Sequence, residues 1–590
     1  MRLRATFTKL APHLAIALAL ALLLTWPAVL DLRGSMLGHP GNDTWNHAWG
    51  FWWVADSLGQ GQLPLHTDLL DHPQGGALFF IDSFNALWTW PIQVLAGVPA
   101  ALNLAVIFAF FCNGIGAWAL GRRVLDDEWL AWVPGVIFAA SAHLLGQAYN
   151  GITETLNAGF LPLYLLLLLR MLDRPSLARA AAMGAALALC SVANFYYGLF
   201  GIVLSVVVVL HRAISEPLRT GWKGFALALG GSVLLYAVLV LPVLAVLSQS
   251  MDAADALVDR DPAFVWASLV NHNITDVVSM FRPGKHYSPD LKAQYGEDLL
   301  IVTYLGWVSL ALAAGGLVAA RPKRSLGLWI ALAVVFLLFA LGPYLHVGGE
   351  YLTWKGRRIP LPFLAFFQAF PLFSRISHPF RFVVPATLGL GMLAGLGAQA
   401  LSRRWPALPR PAIAGILGAL VLSEVTLASP AVWPLPRCDA RIPSAYTQVS
   451  QGAILDLPIT VPNLERAVYT WYQTEHGQPV PYGLNEPVPE TLADNPLTEL
   501  MVRIESAYVL SLPPMLPELE LVAGARRLQA EGYGRVVVHE ELYLSPKLEM
   551  VSAVLEGLFG PPHREGGMAV YQVQPPADGS AAHADGAPIR

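Results

Sequence analysis

Charge is what this chain has least of: Asp, Glu, Lys and Arg make up 13% of 590 residues and nearly cancel, 41 acids against 37 bases for a net charge of -4. A balance so near neutral gives no reason to expect nucleic acid as a partner. Cysteine is scarcer still, with Cys112 and Cys190 inside apolar runs and Cys438 far along in a polar region. No disulfide framework can be argued from three such positions. An internal repeat of fixed period is also missing. What fills the chain is apolar: 55% hydrophobic residues and a mean hydropathy of +0.50, the composition of a polytopic membrane protein.

The opening MRLRATFTKL carries three cationic side chains before the apolar run from Pro12 to Leu30. That run has no small-x-small cleavage signal after it, so it reads as a retained span with its basic flank in the cytoplasm. Further spans are predicted near 100–120, 129–145, 153–169, 177–193, 195–211, 224–247, 300–320, 325–342, 382–401 and 411–428, about eleven transmembrane helices in all. The connections this count assigns to the cytoplasm hold Arg122 and Arg123, Arg170 and Arg174, Arg212, Arg219 and Lys223, Arg321, Lys323 and Arg324, and Arg403, Arg404 and Arg410. All five are basic, as the positive-inside rule requires, and one missed or extra span would break the agreement from that point on. The apolar but short segment from Asn85 to Gly97 holds Pro91 and reads as re-entrant or interfacial.

The outer side is then built from a large first loop, 31–99, from 248–299 and 343–381, and from everything after 429. The first loop opens with GNDTWNHAWGFWWVAD. At helical spacing Trp45, Trp49, Trp52 and Trp53 share one face of this stretch, and Asp43, Asn46, His47 and Gly50 another. The expectation is a helix lying in the membrane interface with its indoles among the headgroups. Read blandly, it is an aromatic belt capped by an N-terminal Asp. The same loop carries Asp68, Asp71, His72 and Asp82. The spacing of Asp68 and Asp71 lets both face one pocket, and turn chemistry before Pro73 and Gly75 explains them equally well.

The later outer regions hold Arg282, Lys285 and His286, then Arg375, His378 and Arg381 at the mouth of a span. Positive charge outside runs against the topological bias and suits an anionic partner, the plain alternative being side chains that snorkel to lipid phosphates. Glu154, near the start of a predicted span, suits a polar cavity or the interface. Asn194, Tyr196 and Tyr197 open another span at the same face and suit the aromatic belt. From about 430 to 574 the pattern changes to strands alternating with turns and with helices such as Pro487 to Ser511 and Pro517 to Glu531, enough for one soluble α/β domain. RAVYTWYQTEHGQPVPYG is among the strand-like stretches. Residues 575–590 are too poor in apolar side chains to fold and read as a disordered tail.

In order along the chain, NDTWNHAWGFWWV, LPLHTDLLDHPQG, FNALWTWPIQ, NFYYGLF, YLGW, LGPYL, SHPFRF, YQTEHGQPVPYG and GRVVVHEELY span Asn42 to Tyr543. This collinear set resembles the GT-C superfamily of polytopic glycosyltransferases, and a bacterial GT-C-like group within it. The resemblance implies a polytopic α-helical membrane domain over 1–429 with an extracytoplasmic α/β domain at 430–574, set in the bacterial inner membrane. It implies transfer of a sugar, with inversion, from a polyprenyl-phosphate donor to a glycan, lipid or protein acceptor on the outer face. Asp43 matches the first-loop acidic position of these enzymes and is the expected base, with Asp68 or Asp71 next in line. His47, Asp68, Asp71, His72, Glu154, Lys285, Arg375, His378 and Arg381 are the expected substrate contacts.

Oligosaccharyl transferases carry paired acidic motifs for a metal and a WWD motif in the soluble domain. This chain has a single acid in NDT, and its only WW pair, Trp52 and Trp53, lies in the first loop with no Asp directly after it. The expectation is therefore no cofactor and no metal, as in protein mannosyltransferases and aminoarabinose transferases. An oxygen-rich site assembled from Asp43, Asp68, Asp71 and His72 stays open. Two other classes compete. A transporter or flippase should place charge near span centres and show related halves, and spans such as LPLYLLLLL and FGIVLSVVVVL do neither. A non-catalytic envelope assembly subunit would find Asp43 dispensable.

Overall fold

Apolar runs of this length must satisfy their own backbone hydrogen bonds, and in the computed structural model of the chain they do so as helices. The structure describes residues 2–215, 222–258, 262–284, 299–319, 326–447, 451–484 and 490–573. In chain order the main helices are α1 (Arg2–Leu24), α2 (Thr44–Gly59), α3 (Ser83–Ala96), α4 (Val98–Leu125), α5 (Trp132–Ala139), α6 (Ala142–Asn150), α7 (Phe160–Asp173), α8 (Leu177–Ala193), α9 (Phe195–Ser215) and α10 (Trp222–Met251). They continue with α11 (Trp307–Ala319), α12 (Leu326–Ala340), α13 (Val383–Arg404), α14 (Arg410–Ala428) and, beyond the apolar part, α15 (Val468–His476). Among the described residues six helical stretches are long and apolar enough to cross a membrane: Val98–Leu125, Thr153–Asp173, Phe195–Ser215, Gly224–Met251, Pro379–Arg404 and Arg410–Ala428. Shorter apolar helices lie at Leu10–Leu24, Leu177–Ala193, Trp307–Ala319 and Leu326–Ala340.

Helix α13 is the centre of this bundle, buried from Val383 to Ala398. Glycine makes that possible. A Cβ on Gly397 would stand 2.0 Å from the Leu312 carbonyl of α11, and one on Gly316 of α11 would stand 2.2 Å from the Leu393 carbonyl of α13. The two backbones therefore cross at a distance only small residues allow. Helix α10 is the opposite case, with Leu227, Val233, Leu234 and Leu241 exposed along it, a surface suited to lipid.

Three expectations change. The stretch 129–145 is two short buried helices, α5 and α6, with Ser141 between them in an extended conformation and its Oγ accepting from the Leu144 amide at 3.4 Å. The helical part of 300–320 begins only at Trp307, where Glu424 of α14 accepts from the Trp307 and Val308 amides at 2.6 and 2.9 Å. The VYTWYQTEH stretch is helical as α15, closed by Gly477 at a φ of 63°. Packing of its apolar side against the first outer loop overrides the strand preference of its aromatic residues.

Beyond the bundle, strands β1 (Ser35–Leu37) and β2 (Arg437–Asp439) pair antiparallel, tying the start of the first loop to the chain beyond α14. Further on, β3 (Ala453–Leu457), β4 (Tyr533–His539), β5 (His563–Glu565) and β6 (Met568–Gln572) form one sheet in the order β5-β6-β4-β3, with β3 and β4 parallel and the other pairs antiparallel. Helices Pro496–Ser506 and Glu518–Ala530 lie in the crossover between β3 and β4.

Candidate active site

Helix α2 forms where the sequence spacing places it, and its setting differs from the expectation. Trp45, Trp49 and Trp53 are buried in protein and do not lie among headgroups. The Trp49 indole donates to Gln473 of α15 at 2.7 Å, Trp45 faces Trp471 with ring centroids 6.3 Å apart, and Trp49 stacks on Trp53 at 5.5 Å. Buried indole N–H groups need acceptors, and α15, beyond the apolar part of the chain, supplies one. It also grips the loop that follows: Gln473 donates to the Leu69 carbonyl at 2.6 Å and the Val480 amide to the same carbonyl at 2.9 Å.

The start of α2 is held from the membrane side. The Asp43 amide donates to the Asn150 carbonyl at 3.0 Å, and the Asn42 side chain donates to Asn150 Oδ1 at 3.1 Å. Gly151, at a φ of 73°, lets this turn approach closely: a Cβ there would lie 2.2 Å from Thr44 Oγ1. Asp43 occupies the N-cap position, yet its side chain does not cap the helix, and Oδ1 accepts from Asn46 Nδ2 at 3.0 Å. The carboxylate is thus spared the capping role that the bland reading gave it.

One turn further, His47 is buried among charges. Its Nδ1 lies 3.0 Å from Thr153 Oγ1 and 3.4 Å from Asp82 Oδ2, and its Nε2 lies 3.4 Å from Glu154 Oε2. Thr153 in turn donates to Asp82 Oδ2, so the imidazole N–H, the hydroxyl and the carboxylate form one relay. Glu154 Oε1 stands 3.9 Å from Arg381 Nη1, and the Arg381 guanidinium lies 4.8 Å over the Tyr196 ring. Asp82 Oδ1 and Arg381 Nε are buried without a hydrogen-bond partner among the described residues.

The elements that bring these groups together are breaks in helices. Thr153 and Glu154 lie on a 3-10 stretch, Thr153–Gly159, whose carbonyls are taken up by side chains: Asn113 donates to Leu156 O at 3.0 Å, and Tyr197 donates to Thr155 O. Arg381 lies on a second 3-10 turn, Pro379–Phe382, leading into α13. Irregular backbone at this depth survives where it lines protein or a cavity.

Burial alone would lower the His47 pKa, but the hydrogen bond with Asp82 and the charges of Glu154, Asp82 and Asp43 outweigh it and raise the group to about 9. His47 is therefore an imidazolium at neutral pH. The cluster holds three carboxylates, Asp43, Asp82 and Glu154, against one imidazolium and one guanidinium. Among the described residues, His47, Asp82 and Glu154 are also the group able to offer ligand atoms to a metal ion, with those atoms within 4.8 Å of one another. Proton and cation would compete for the same ring nitrogen.

Of the residues singled out from sequence, Asp43, His47, Glu154 and Arg381 come together. His378 lies beside them, with Nδ1 2.7 Å from Ser377 Oγ and 3.5 Å from Tyr196 OH. Arg375 is exposed and makes no ion pair among the described residues. Asp68, Asp71 and His72 make no contact with the cluster. Asp71 adopts a φ of 52° and its carbonyl closes the turn at Gln74 and Gly75, while His72 Nε2 meets the Glu531 carbonyl at 2.7 Å. Among the described residues, Asp43, Asp68, Asp71 and His72 therefore do not gather into one oxygen-rich site. Lys285 falls outside the described residues.

Asp82 and Thr153 had not been singled out. The one available signal for Asp82 is a lone carboxylate inside the apolar run LFFIDSFNALW.

The model of a family described as a domain of unknown function (DUF6311) matches residues 14–422. A sequence search of curated proteins returns no match. Among solved structures, the arabinofuranosyltransferase AftD from Mycobacteria superposes with a TM-score of 0.54 at 16% identity, over 96% of this chain and 40% of that one. This chain thus spans well under half of that protein. The Archaeoglobus fulgidus oligosaccharyltransferase tethered to an acceptor peptide gives 0.50 at 11% identity, over 93% of this chain and 72% of that one. At these identities the likeness is one of fold alone: the chain shares its fold with these two proteins.

Proposed function

The chain belongs to the family described as a domain of unknown function (DUF6311), and from its fold and its buried cluster we propose that it is a GT-C-type glycosyltransferase. The proposed reaction moves a sugar from a polyprenyl-phosphate donor to an acceptor hydroxyl on the outer face of the bacterial inner membrane. The observation that carries this reading is the buried cluster in which His47 lies 3.4 Å from Glu154 and Glu154 3.9 Å from Arg381, with Asp43 one turn before His47 at the start of α2 and acting on His47 and Glu154 through its charge.

The chemistry follows from those groups. Asp43 takes the proton from the acceptor hydroxyl as its oxygen bonds to the anomeric carbon from the side opposite the donor phosphate. The bond between that carbon and the phosphate oxygen breaks, and the lipid phosphate leaves with the electron pair. Arg381 stands where a cation would stabilise that growing charge. His47, held by Thr153, Asp82 and Glu154, keeps a positive charge beside the base and fixes the start of α2. Tyr196 gives the guanidinium a flat support, its ring 4.8 Å from the charge.

The test is turnover and binding by the purified full-length chain with a panel of polyprenyl-phosphate sugars, with and without EDTA. Asp43→Asn should abolish transfer, a loss of about 100-fold or more, while leaving insertion and donor binding intact. Arg381→Ala should weaken donor binding. Wild-type turnover by Asp43→Asn would remove the assigned base. Failure of the wild type to bind any donor would favour a transporter or an assembly subunit.

A further inference from the structure

Far from the cluster, three successive connections bring their arginines to one place. Arg122 and Arg123 end α4, Arg170 and Arg174 end α7, Arg179 lies in the first turns of α8, and Arg212 is near the end of α9. All six line a single cavity of about 710 Å³, together with Trp118, Leu172, Asp126 and Asp173. Helices α7 and α9 start beside the Glu154 and Tyr196 region and end here. At about 1.5 Å per residue their 14 and 21 residues put the cavity roughly 21–32 Å away. It therefore opens on the side that the charge pattern assigns to the cytoplasm.

The positive-inside bias accounts for arginine in each connection, but not for six guanidinium groups facing one another across one space with two carboxylates. Asp173 takes up part of the charge, bonding to Arg123 and lying 3.7 Å from Arg212. Arg179 spends its Nη1 on the Arg170 and Arg174 carbonyls at 3.1 and 2.9 Å, and the Arg122 guanidinium lies 5.6 Å over Trp118. Arg170 and Arg174 have no carboxylate within ion-pair distance among the described residues. Like charges gathered in this way are costly unless an anion shares them.

We propose that this cavity is a binding site for an anion carrying two phosphate charges or more, either the headgroup of an anionic phospholipid or a soluble diphosphate. The guanidinium fork matches phosphate oxygens two at a time. Basic pockets between membrane helices on the cytoplasmic side suit anionic headgroups for the same reason. Arg170 and Arg174 supply the forks, and the Trp118 and Leu172 side of the cavity suits the start of an acyl chain.

The experiment uses the full chain in detergent and in phosphatidylcholine nanodiscs, with inorganic pyrophosphate and cardiolipin as probes. Pyrophosphate is followed by equilibrium dialysis and cardiolipin by native mass spectrometry. The expected result is saturable binding at one site, weakened about ten-fold or more in the Arg170→Gln/Arg174→Gln double variant and unchanged in Arg403→Gln/Arg404→Gln, which removes as much charge outside the cavity. Binding of pyrophosphate alone identifies a soluble ligand, and of cardiolipin alone a lipid headgroup. Should the first double variant fail to fold, Arg170→Lys/Arg174→Lys keeps the charge and removes the forks, and its affinity must still fall. Binding of neither probe, or an equal loss in the Arg403/Arg404 control, overturns the proposal.

Discussion

The imidazolium at His47 can be tested through the stability of the whole chain. Its pKa lies at about 9 in the folded protein against an ordinary 6.5, a difference worth roughly 3 kcal/mol. Because the folded value is the higher one, that stability is fully present below pH 6.5 and is lost as pH rises through about 9. The perturbation is His47→Gln, which fills similar space and cannot take the charge.

Unfolding of the detergent-solubilised protein, followed by tryptophan fluorescence between pH 6.5 and 10, should show an alkaline loss in the wild type beyond that in the variant. At pH 7 the variant should already be less stable, by about 3–5 kcal/mol, because Glu154 and Asp82 lose the charge opposite them. Lysines, tyrosines and other alkaline groups titrate in both proteins and cancel in the difference. An equal alkaline loss in both would refute the reasoning.

Two further outcomes test the scaffold. In α11, Gly316→Ala should destabilise by about 1–3 kcal/mol, because its Cβ would meet the Leu393 carbonyl at 2.2 Å, whereas Gly315→Ala next to it meets nothing within 4 Å and should be neutral or slightly stabilising. Thermal unfolding of the pair in one detergent decides it. At the end of α15, burial depresses the His476 pKa to about 4 against opposing help from Asp456, and its Nδ1 accepts from the Gln478 amide at 3.0 Å. Stability is complete above pH 6.5 and falls as pH drops toward 4, by roughly 3 kcal/mol in the limit. Acid unfolding of His476→Phe should lack this component.

The helices were legible because a membrane leaves the chain few choices: runs of some twenty apolar residues have to be helical. Asp43, Glu154 and Arg381 were legible as charges at the edges of such runs. The relay through Asp82 and Thr153 was not, since its members lie 35 and 106 residues from His47 in sequence. Hydrophobic periodicity shows which face of a helix is apolar, not which protein surface covers it. That is why the tryptophans of α2 were expected among headgroups when Gln473 and Trp471 hold them.

The departures from the expected spans gather at one end of the bundle. The break at Ser141, the 3-10 stretch at Thr153–Gly159 and the turn at Pro379–Phe382 all interrupt helices near the residues of the cluster. A continuous helix would bury its own peptide groups and turn its side chains to neighbouring helices. A broken one can aim Thr153, Glu154 and Arg381 at a common point, provided that other groups take up the freed carbonyls, as Asn113 and Tyr197 do. The same logic joins α15 to the site. Asp43 is held from below by Asn150, and its helix is held from above by Gln473, so the geometry at Asp43 depends on residues more than 400 positions away. A substitution that loosens α15 should therefore disturb the cluster without touching it.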